Sequence, residues 1–332
     1  MVSDVFSKLS TCIILSAVLA FGQYFSGRVG ASNDGNQHDP DDIGSAAWEV
    51  GIYCKAGAHY VHHDYADHLG NNDPVMEARI HHSVIGAAQR FYNDTTMCFN
   101  DQTNLSGAIA NIAKQINASS AADNFFLICC GPMEVPWRGI MASDSMKRKY
   151  CVCVSHSGWN DTHSDTPEMT HRWTDIQKTG VNWMHISDQN INLQVNDLAR
   201  WAWAKNSSDP NIRFLDSVRV GGDISDAGMA FFVVTGMGDQ LGTPEKLNLL
   251  FSQTSSAASF SASVAPLSIN SATAFDELKV FDIRGRLVER FTFNGKMPFE
   301  NITRARHAGS YVALFSREGK VVNVKMACNP AR

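Results

Sequence analysis

The feature of this sequence that most constrains its fold is a set of short, strongly apolar runs that alternate with longer segments of helical pattern. The clearest runs are residues 124–130 (NFFLICC), 150–155 (YCVCVS) and 181–186. A short run without polar alternation is typical of a parallel strand that is covered on both faces. The sequence therefore predicts an α/β fold, with a mostly parallel sheet and helices on both faces.

The helical segments complete this interpretation. The segment 74–91 begins with Pro74, which favours the first turn of a helix. Leucine, isoleucine and alanine recur at helical spacing in the second segment, 105–116. Further helices are predicted at 43–50, 196–205 and 226–235. In such sheets ligands bind outside the carboxyl ends of the strands, so polar residues that follow strands are the candidates for a functional site.

The N-terminal end of the chain has a different character. Residues 11–21 (TCIILSAVLAF) form an apolar stretch behind Lys8 that is too short to cross a bilayer, and small residues follow it. This pattern is typical of a cleavable signal peptide, which we place at residues 1–22. No later stretch is long and apolar enough to span a membrane, so we expect an exported protein without a span in its mature chain.

The C-terminal end forms a separate module. We expect the α/β domain at residues 23–251, a Ser- and Ala-rich linker at 252–274 and a small antiparallel β sandwich-like domain at 275–332. Within this tail, residues 280–288 (VFDIRGRLV) and 308–312 (AGSYV) resemble the C-terminal sorting domain of type IX secretion cargo. The resemblance implies the type IX machinery as a partner, and a secreted or cell-surface location.

Overall composition excludes several classes of protein. The formal net charge is −5, which does not indicate a surface that binds a nucleic-acid polymer. Four of the eight cysteines lie in the apolar runs, where small core residues are expected. The chain has no glycine-rich phosphate loop after a strand, so no organic cofactor is expected.

A cluster of aspartates marks the junction between a strand at 28–32 and the first helix. Asp34, Asp39, Asp41 and Asp42 fall within nine residues of one another. Carboxylates packed this closely repel one another unless a cation or protons neutralise them. A hard cation such as Ca²⁺ takes several carboxylate oxygens, so calcium is the expected cofactor.

This cluster resembles the N-terminal signature of nucleoside hydrolases, in which a strand runs into Asp-x-Asp-x-x-x-Asp-Asp. The resemblance implies that Asp34 and Asp42 are calcium ligands. Asn36 replaces the second aspartate of the signature, and the spacing to the Asp pair is one residue longer. Because an amide cannot act as a general base, Asp39 and Asp41 become the catalytic candidates.

Two later segments extend the resemblance. Gly131-Pro132-Met133-Glu134 is similar to the family's Gly-Pro-x-Thr turn near the metal, so Glu134 is a candidate ligand. Asp226 begins a segment similar to the family's late Asp-x-x-x-Ala helix start, where the aspartate binds calcium. Ser225 stands where the family commonly has histidine, which leaves the contact to the leaving group in doubt.

Other polar and aromatic residues at strand ends are candidates for substrate contact. The segment 156–171 follows a strand and is long, polar and aromatic, and its histidines show no HxH or HExxH spacing of a metal site. An aromatic ring can stack on a sugar, while amides and histidines bond its hydroxyls or act as acids. The predicted substrate-binding residues are Asn36, His38, His63, His156, Trp159, Asn160, His171 and Asp188.

Together these features favour a secreted, metal-dependent hydrolase that cleaves the N- or O-glycosidic bond of a nucleoside or oligosaccharide. Carboxylates stabilise oxocarbenium-like charge and deprotonate water, and a metal anchors sugar hydroxyls. The alternatives are a non-catalytic carbohydrate-binding protein on the same scaffold, or a structural surface protein that binds calcium for stability. The replacements Asn36 and Ser225 motivate the first alternative.

Overall fold

The computed structural model describes residues 27–37, 40–235 and 241–252, together with the backbone of four strands in the C-terminal part of the chain. The predicted signal peptide and residues 253–274 of the predicted Ser- and Ala-rich linker lie outside the described residues, whereas Ser252 ends a helix. The chain divides into two compact units, Met1–Ser255 and Ser256–Arg332.

The first unit contains a six-stranded sheet in which every neighbouring pair of strands is parallel. The order of the strands across the sheet is β3-β2-β1-β4-β5-β6. The strands are β1 (Gly27–Asn33), β2 (His59–Tyr65), β3 (Cys98–Asn100), β4 (Asn124–Cys130), β5 (Cys151–Ser155) and β6 (Asn182–His185). The α/β fold with a parallel sheet predicted from the sequence is confirmed.

Eleven α-helices are described in this unit, and several are only one turn long. They are α1 (Pro40–Lys55), α2 (Pro74–Phe91), α3 (Asp101–Ala118), α4 (Glu134–Met141), α5 (Gly158–Thr162), α6 (Trp173–Ile176), α7 (Asn190–Leu193), α8 (Ala202–Lys205), α9 (Pro210–Val218), α10 (Ala227–Thr235) and α11 (Pro244–Ser252). The helix α2 has the predicted bounds, because Asp73 caps its first turn through Val75 N–H and the proline follows that cap.

Alternate residues of the central strand β4 enter two different cores. Ile128 and Cys130 pack in the core that contains Trp48 of α1, whereas Leu127 and Cys129 pack in the core that contains Ile112 of α3. Successive side chains of a strand point to opposite faces, so helices cover both faces of the sheet. This explains why the strand reads as a continuous apolar run. The buried cysteines of β4 and β5 are free thiols in the core, as expected.

One predicted helix is wrong. Residues 196–205 were expected to form a single helix, but the chain forms a 3₁₀ turn at Leu198–Trp201 followed by the single helical turn α8. Trp201 is fully buried and its ring packs 5.3 Å from that of Trp48. The tertiary contact of Trp201 thus accompanies a break that local helix propensity does not reveal.

The order of the strands reverses between β1 and β4, and this position decides where the site lies. The chain leaves β1 toward β2 on one side, and β4 leads to β5 on the other. Loops that leave the carboxyl ends of β1 and β4 therefore diverge and open a crevice, the usual ligand position in such sheets. Asp34 follows β1 and Gly131 follows β4 at this crevice.

The second unit contains four strands, β7 (Glu277–Asp282), β8 (Leu287–Thr292), β9 (Gly309–Arg317) and β10 (Lys320–Asn329). They form one antiparallel sheet in the order β10-β9-β7-β8. Among the residues described in both units, no helix combines the length and apolar character needed to cross a bilayer.

Candidate functional site

Asp34 lies at the centre of the crevice and is 2% exposed. Its Oδ1 accepts a hydrogen bond from Gly35 N–H at 2.5 Å. Burial raises the pKa of Asp34, and the nearby charge of Asp226 adds to this effect. Burial and the neighbouring negative charge both disfavour the ionised carboxylate, so a bound cation would stabilise it.

The end of β4 packs directly against this carboxyl. A Cβ atom at Gly131 would lie 3.1 Å from both Cβ and Cγ of Asp34, which is tighter than ordinary van der Waals contact. A residue with a side chain would therefore push Asp34 out of position. The glycine of the Gly-Pro turn is explained by this close approach to Asp34.

The first turn of α1 carries two further predicted site residues, Asp41 and Asp42. Asp42 is 1% exposed, and Asn33 Nδ2 lies 3.5 Å from its Oδ1. Asp41 is half-buried, and its Oδ2 accepts a hydrogen bond from Ser225 Oγ at 3.0 Å. Backbone N–H groups and the helix dipole favour carboxylates at this end of a helix. Ser225 thus binds a carboxylate of the cluster.

Asp226 approaches from the opposite side, immediately before α10. Its Oδ1 accepts hydrogen bonds from His156 Nε2 at 2.8 Å and from Asn160 Nδ2 at 2.9 Å. All three side chains are buried. The loop that follows β5 therefore contacts Asp226 through two residues predicted from the sequence to bind substrate.

The protonation of His156 reflects opposing influences. Burial disfavours the charged ring, but the hydrogen bond and charge of Asp226, together with Asp188, outweigh burial and raise the pKa of His156. Asp188 is half-exposed, with its Oδ1 3.5 Å from Nδ1 of His156. With a raised pKa, the His156 ring keeps its extra proton at pH values nearer to neutral, and a general acid must be protonated at its working pH.

Asp41, Asp226 and three of their neighbours described above, His156, Asn160 and Ser225, line one cleft of about 260 Å³. The cleft is mostly polar and contains Asp41 of the aspartate cluster, together with the pair of His156 and Asp226. Trp159 contributes an aromatic wall and is half-buried. The lining residues are Asp41, His156, Ser157, Trp159, Asn160, Asn190, Gln194, Asp223, Ser225 and Asp226.

Sequence reasoning missed a buried acid that shares the Asn33 amide with Asp42. Glu49 of α1 is fully buried, and its Oε1 accepts a hydrogen bond from Asn33 Nδ2 at 3.1 Å. Burial raises its pKa to about 8. The nearest ring nitrogen, Nε2 of His63, is 3.8 Å from its Oε2, and burial lowers the pKa of His63 to about 3. Near neutral pH both groups are therefore mainly uncharged, and they do not form an ion pair.

Several predicted residues have other structural partners. His63 is fully buried, and its Nδ1 lies 2.8 Å from the Tyr60 hydroxyl. Asn36 is also fully buried; its side chain binds the backbone of His68 and the side chain of Asn72. Residues 38 and 39 lie outside the described residues, so the structure does not place His38 or the catalytic candidate Asp39.

Glu134 and His171 form a separate clasp. The Glu134 carboxylate accepts hydrogen bonds from Arg138 at 2.8 Å and from the His171 backbone at 3.0 Å, and its Oε2 lies 2.8 Å from Nδ1 of His171. The His171 ring stacks on Trp137 with ring centroids 3.4 Å apart. The clasp joins the end of the long loop after β5 to α4, and these partners of Glu134 lie outside the aspartate cluster.

A second group of side chains can hold a metal ion. The ligand atoms of His68, His163 and Asp165 all lie within 4.8 Å of one another. The sequence did not indicate this group, because its residues come from two loops and show no short metal-binding spacing. The available sequence signal was the position of a histidine shortly after a strand, and His68 meets it because it lies three residues beyond β2.

The fold and the site together define an α/β protein with a parallel sheet and a polar, carboxylate-rich cleft at the point where the strand order reverses. No protein-family model matches the chain. The chain is 32% identical over 233 residues to the protein named Uncharacterized protein P22 of Formosa agariphila. The matched region covers 63% of this chain and 84% of that protein. The chain therefore belongs to the same family as P22.

Proposed function

We propose that this protein is a secreted, calcium-dependent hydrolase that cleaves the glycosidic bond of a nucleoside or oligosaccharide. The observation that carries the proposal is the convergence of Asp34, Asp42 and Asp226, all at most 3% exposed, beside a polar cleft. A histidine of raised pKa and an aromatic ring lie in the same cleft. The resemblance to nucleoside hydrolases supports the same chemistry.

The residues fit a calcium ion. Asp34, Asp42 and Asp226 would supply carboxylate oxygens, the ligands that Ca²⁺ prefers. The neighbouring Asn33 Oδ1 is buried without a hydrogen-bond partner, and Asn33 also lies beside Asp42. Buried carboxylates and an unsatisfied amide oxygen are costly without a cation. When bound, calcium would anchor sugar hydroxyls and polarise a water molecule.

The chain's own residues would perform the proton transfers. Asp41 lines the cleft, is held by Ser225 and can accept a proton from water. Asp39 is the second candidate base. On the other side of the cleft, His156 is the candidate acid for the departing group, and Asp226 accepts the hydrogen bond of its Nε2–H and stabilises the charged ring. Trp159 offers a face for stacking against a sugar or a base.

The proposal includes export to the surface or medium. The signal-peptide pattern and the resemblance of the tail to type IX sorting domains support it. An exported enzyme meets oligosaccharides more often than free nucleosides, so both kinds of glycosidic bond belong to the proposal.

A specific observation favours the non-catalytic alternative. Asn36 occupies the position of the second aspartate in the resembling signature, and its amide is fully used to hold residues 68–72. A protein that binds sugar without cleaving it would need no base at that position. Hydrolysis by the wild-type protein separates the two functions directly.

The test is calorimetric titration of the full chain with Ca²⁺, followed by assays on nucleosides and oligosaccharides. We expect one bound Ca²⁺, loss of binding in Asp42→Asn, and hydrolysis that requires Ca²⁺. Asp94→Asn is the matched control, since Asp94 caps its own turn through Thr96 at an exposed position. Absence of Ca²⁺ binding would refute the metal site. Binding without hydrolysis would leave the carbohydrate-binding alternative.

A further inference from the structure

We propose that His68, His163 and Asp165 form a second metal site, selective for a divalent transition metal of the zinc type. Nε2 of His68 lies 3.1 Å from Nε2 of His163 and 3.1 Å from Oδ1 of Asp165. The third side of this triangle, from His163 Nε2 to Asp165 Oδ1, is 3.5 Å. Ligands about 2.1 Å from a tetrahedral Zn²⁺ are about 3.4 Å apart, so the triangle matches one face of its coordination shell.

The tautomer of His68 directs a lone pair into this triangle. Its Nδ1 lies 3.1 Å from the carbonyl oxygen of Asn71, which can only accept a hydrogen bond. The proton of a neutral ring therefore sits on Nδ1, and Nε2 carries the lone pair. Metal-binding histidines commonly donate their other ring N–H to a carbonyl in this way.

A positive charge at the centre of the triangle would stabilise this arrangement. The lone pair on Nε2 of His68 and the carboxylate oxygen of Asp165 are 3.1 Å apart, and both are electron-rich. Since the His68 ring is fully buried, water cannot readily screen this contact. Either a proton on Nε2 of His68 or a metal ion relieves this contact, and the Zn²⁺ titration described below distinguishes the two.

The His68 side of the site is built rigidly. The backbone N–H of His68 donates to Asn36 Oδ1 at 3.1 Å, and Asn36 returns a hydrogen bond to the carbonyl of His68 at 3.3 Å. The backbone N–H of Ala66 donates to the Asp34 carbonyl at 3.1 Å. Asn36 therefore positions a metal ligand, which gives this buried amide a role beside the aspartate cluster.

The other two ligands come from the loop after α5. The His163 ring stacks on Trp159 with centroids 3.9 Å apart, and Thr166 Oγ1 donates to the Leu69 carbonyl at 2.6 Å. These contacts join the loop after β2 to the loop after α5 before any metal binds. A bound ion would cross-link both loops beside Trp159, which lines the cleft.

The ligand types distinguish this site from the aspartate cluster. Two imidazoles and one carboxylate suit Zn²⁺ and related transition metals, whereas the aspartate cluster offers only oxygen ligands suited to Ca²⁺. Three protein ligands leave a fourth position, and the side chain of Asp165 is 48% exposed, so water can complete the coordination. The inference does not depend on glycosidic hydrolysis.

The test is a titration of the chelator-treated full chain with Zn²⁺ in the presence of excess Ca²⁺. We expect one Zn²⁺ per chain, and an affinity at least about 100-fold lower in His163→Ala and Asp165→Ala, since losing an outer-shell partner alone costs 10–100-fold. His185→Ala is the matched control, because His185 pairs with Asp161 at 2.9 Å outside the triangle. This control should bind Zn²⁺ like the wild type.

The site would be overturned if the wild type bound no stoichiometric Zn²⁺, or if the affinity were unchanged in Asp165→Ala. The latter variant changes a half-exposed side chain, so it keeps the test valid if His163→Ala fails to fold. The variant Asp42→Asn separates the two metal sites. It should lose Ca²⁺ binding and retain Zn²⁺ binding, and loss of Zn²⁺ in Asp42→Asn alone would place the ion in the aspartate cluster and refute the proposal.

Discussion

Nε2 of His156 lies 2.8 Å from Oδ1 of Asp226, and both side chains are buried. The two residues are 70 positions apart in the chain, one after β5 and the other before α10. The contact joins a group that can hold a proton to a carboxylate of the proposed calcium site. Proton transfer and metal binding are therefore coupled in the proposed hydrolase through Asp226.

The first prediction concerns His156. We expect His156→Ala to lower kcat for glycoside or nucleoside hydrolysis by about 100-fold or more, because general-acid catalysis typically contributes at least that factor. Substrate affinity should change much less. Steady-state kinetics measures both. His82→Ala is the control, since that exposed helical residue packs on Phe214 away from the cleft. A similar kcat in both variants would exclude His156 as the acid.

The second prediction concerns Gly131. The Cβ of Gly131→Ala would displace Asp34 by a few tenths of an ångström, so we expect Ca²⁺ affinity to fall about tenfold while the fold persists. Calorimetry and circular dichroism measure these two properties. Gly158→Ala is the matched control, because a Cβ there meets no atom within 4 Å. Equal Ca²⁺ affinity in the two variants would contradict the positioning of Asp34 by Gly131.

The third prediction concerns Asn36. Restoring the carboxylate of the resembling signature with Asn36→Asp should not raise activity. An ionised carboxylate cannot donate to the His68 carbonyl or to Asn72 Oδ1, as the amide does. We expect the free energy of unfolding to fall by about 1–3 kcal/mol, the cost of leaving buried acceptors unsatisfied. Urea denaturation measures it, with Asn93→Asp as the control, because the exposed Asn93 accepts a hydrogen bond from Gln89 through its Oδ1, which a carboxylate can still accept.

The fourth prediction concerns the pH dependence of stability. Because burial raises the pKa of Glu49 to about 8, the folded state retains a proton that the unfolded state releases near the ordinary pKa of 4.5. Stability contributed by this group is complete below pH 4.5 and decreases as the pH rises toward 8, by about 1.4 kcal/mol per pH unit at most. A glutamine does not titrate, so the stability of Glu49→Gln does not decrease with rising pH through this group.

Urea denaturation in chelator between pH 5 and pH 9 tests this expectation. The stability of Glu49→Gln relative to the wild type should increase by a few kcal/mol across this range. Glu245→Gln is the control, because its bond to Arg200 lowers the pKa of Glu245 to about 2 and confines its effect to acidic pH. Parallel curves for Glu49→Gln and the wild type would show that Glu49 is ionised in the fold.

The fold was largely predictable because its signals are local. The bounds of β4 and α2 agree with the sequence pattern, since a strand buried on both faces needs a continuous apolar run, and a Pro in the first turn marks a helix start. The segment 196–205 was not predictable, because a buried tryptophan contact from α1 accompanies its break. Such a contact has no local signature.

The candidate site divides in the same way. Asp34, Asp42, Asp226, His156 and Asn160 follow strands or begin helices, and the rule for ligand position in parallel sheets groups such residues at one edge. By themselves, the residues of the chain determined a parallel α/β sheet and an acidic cluster at its edge. Only the tertiary structure placed His68 beside His163, which is 95 positions away in the chain. The two histidines lie on loops that follow different strands, and the spacing of residues along the chain does not indicate that these loops come into contact.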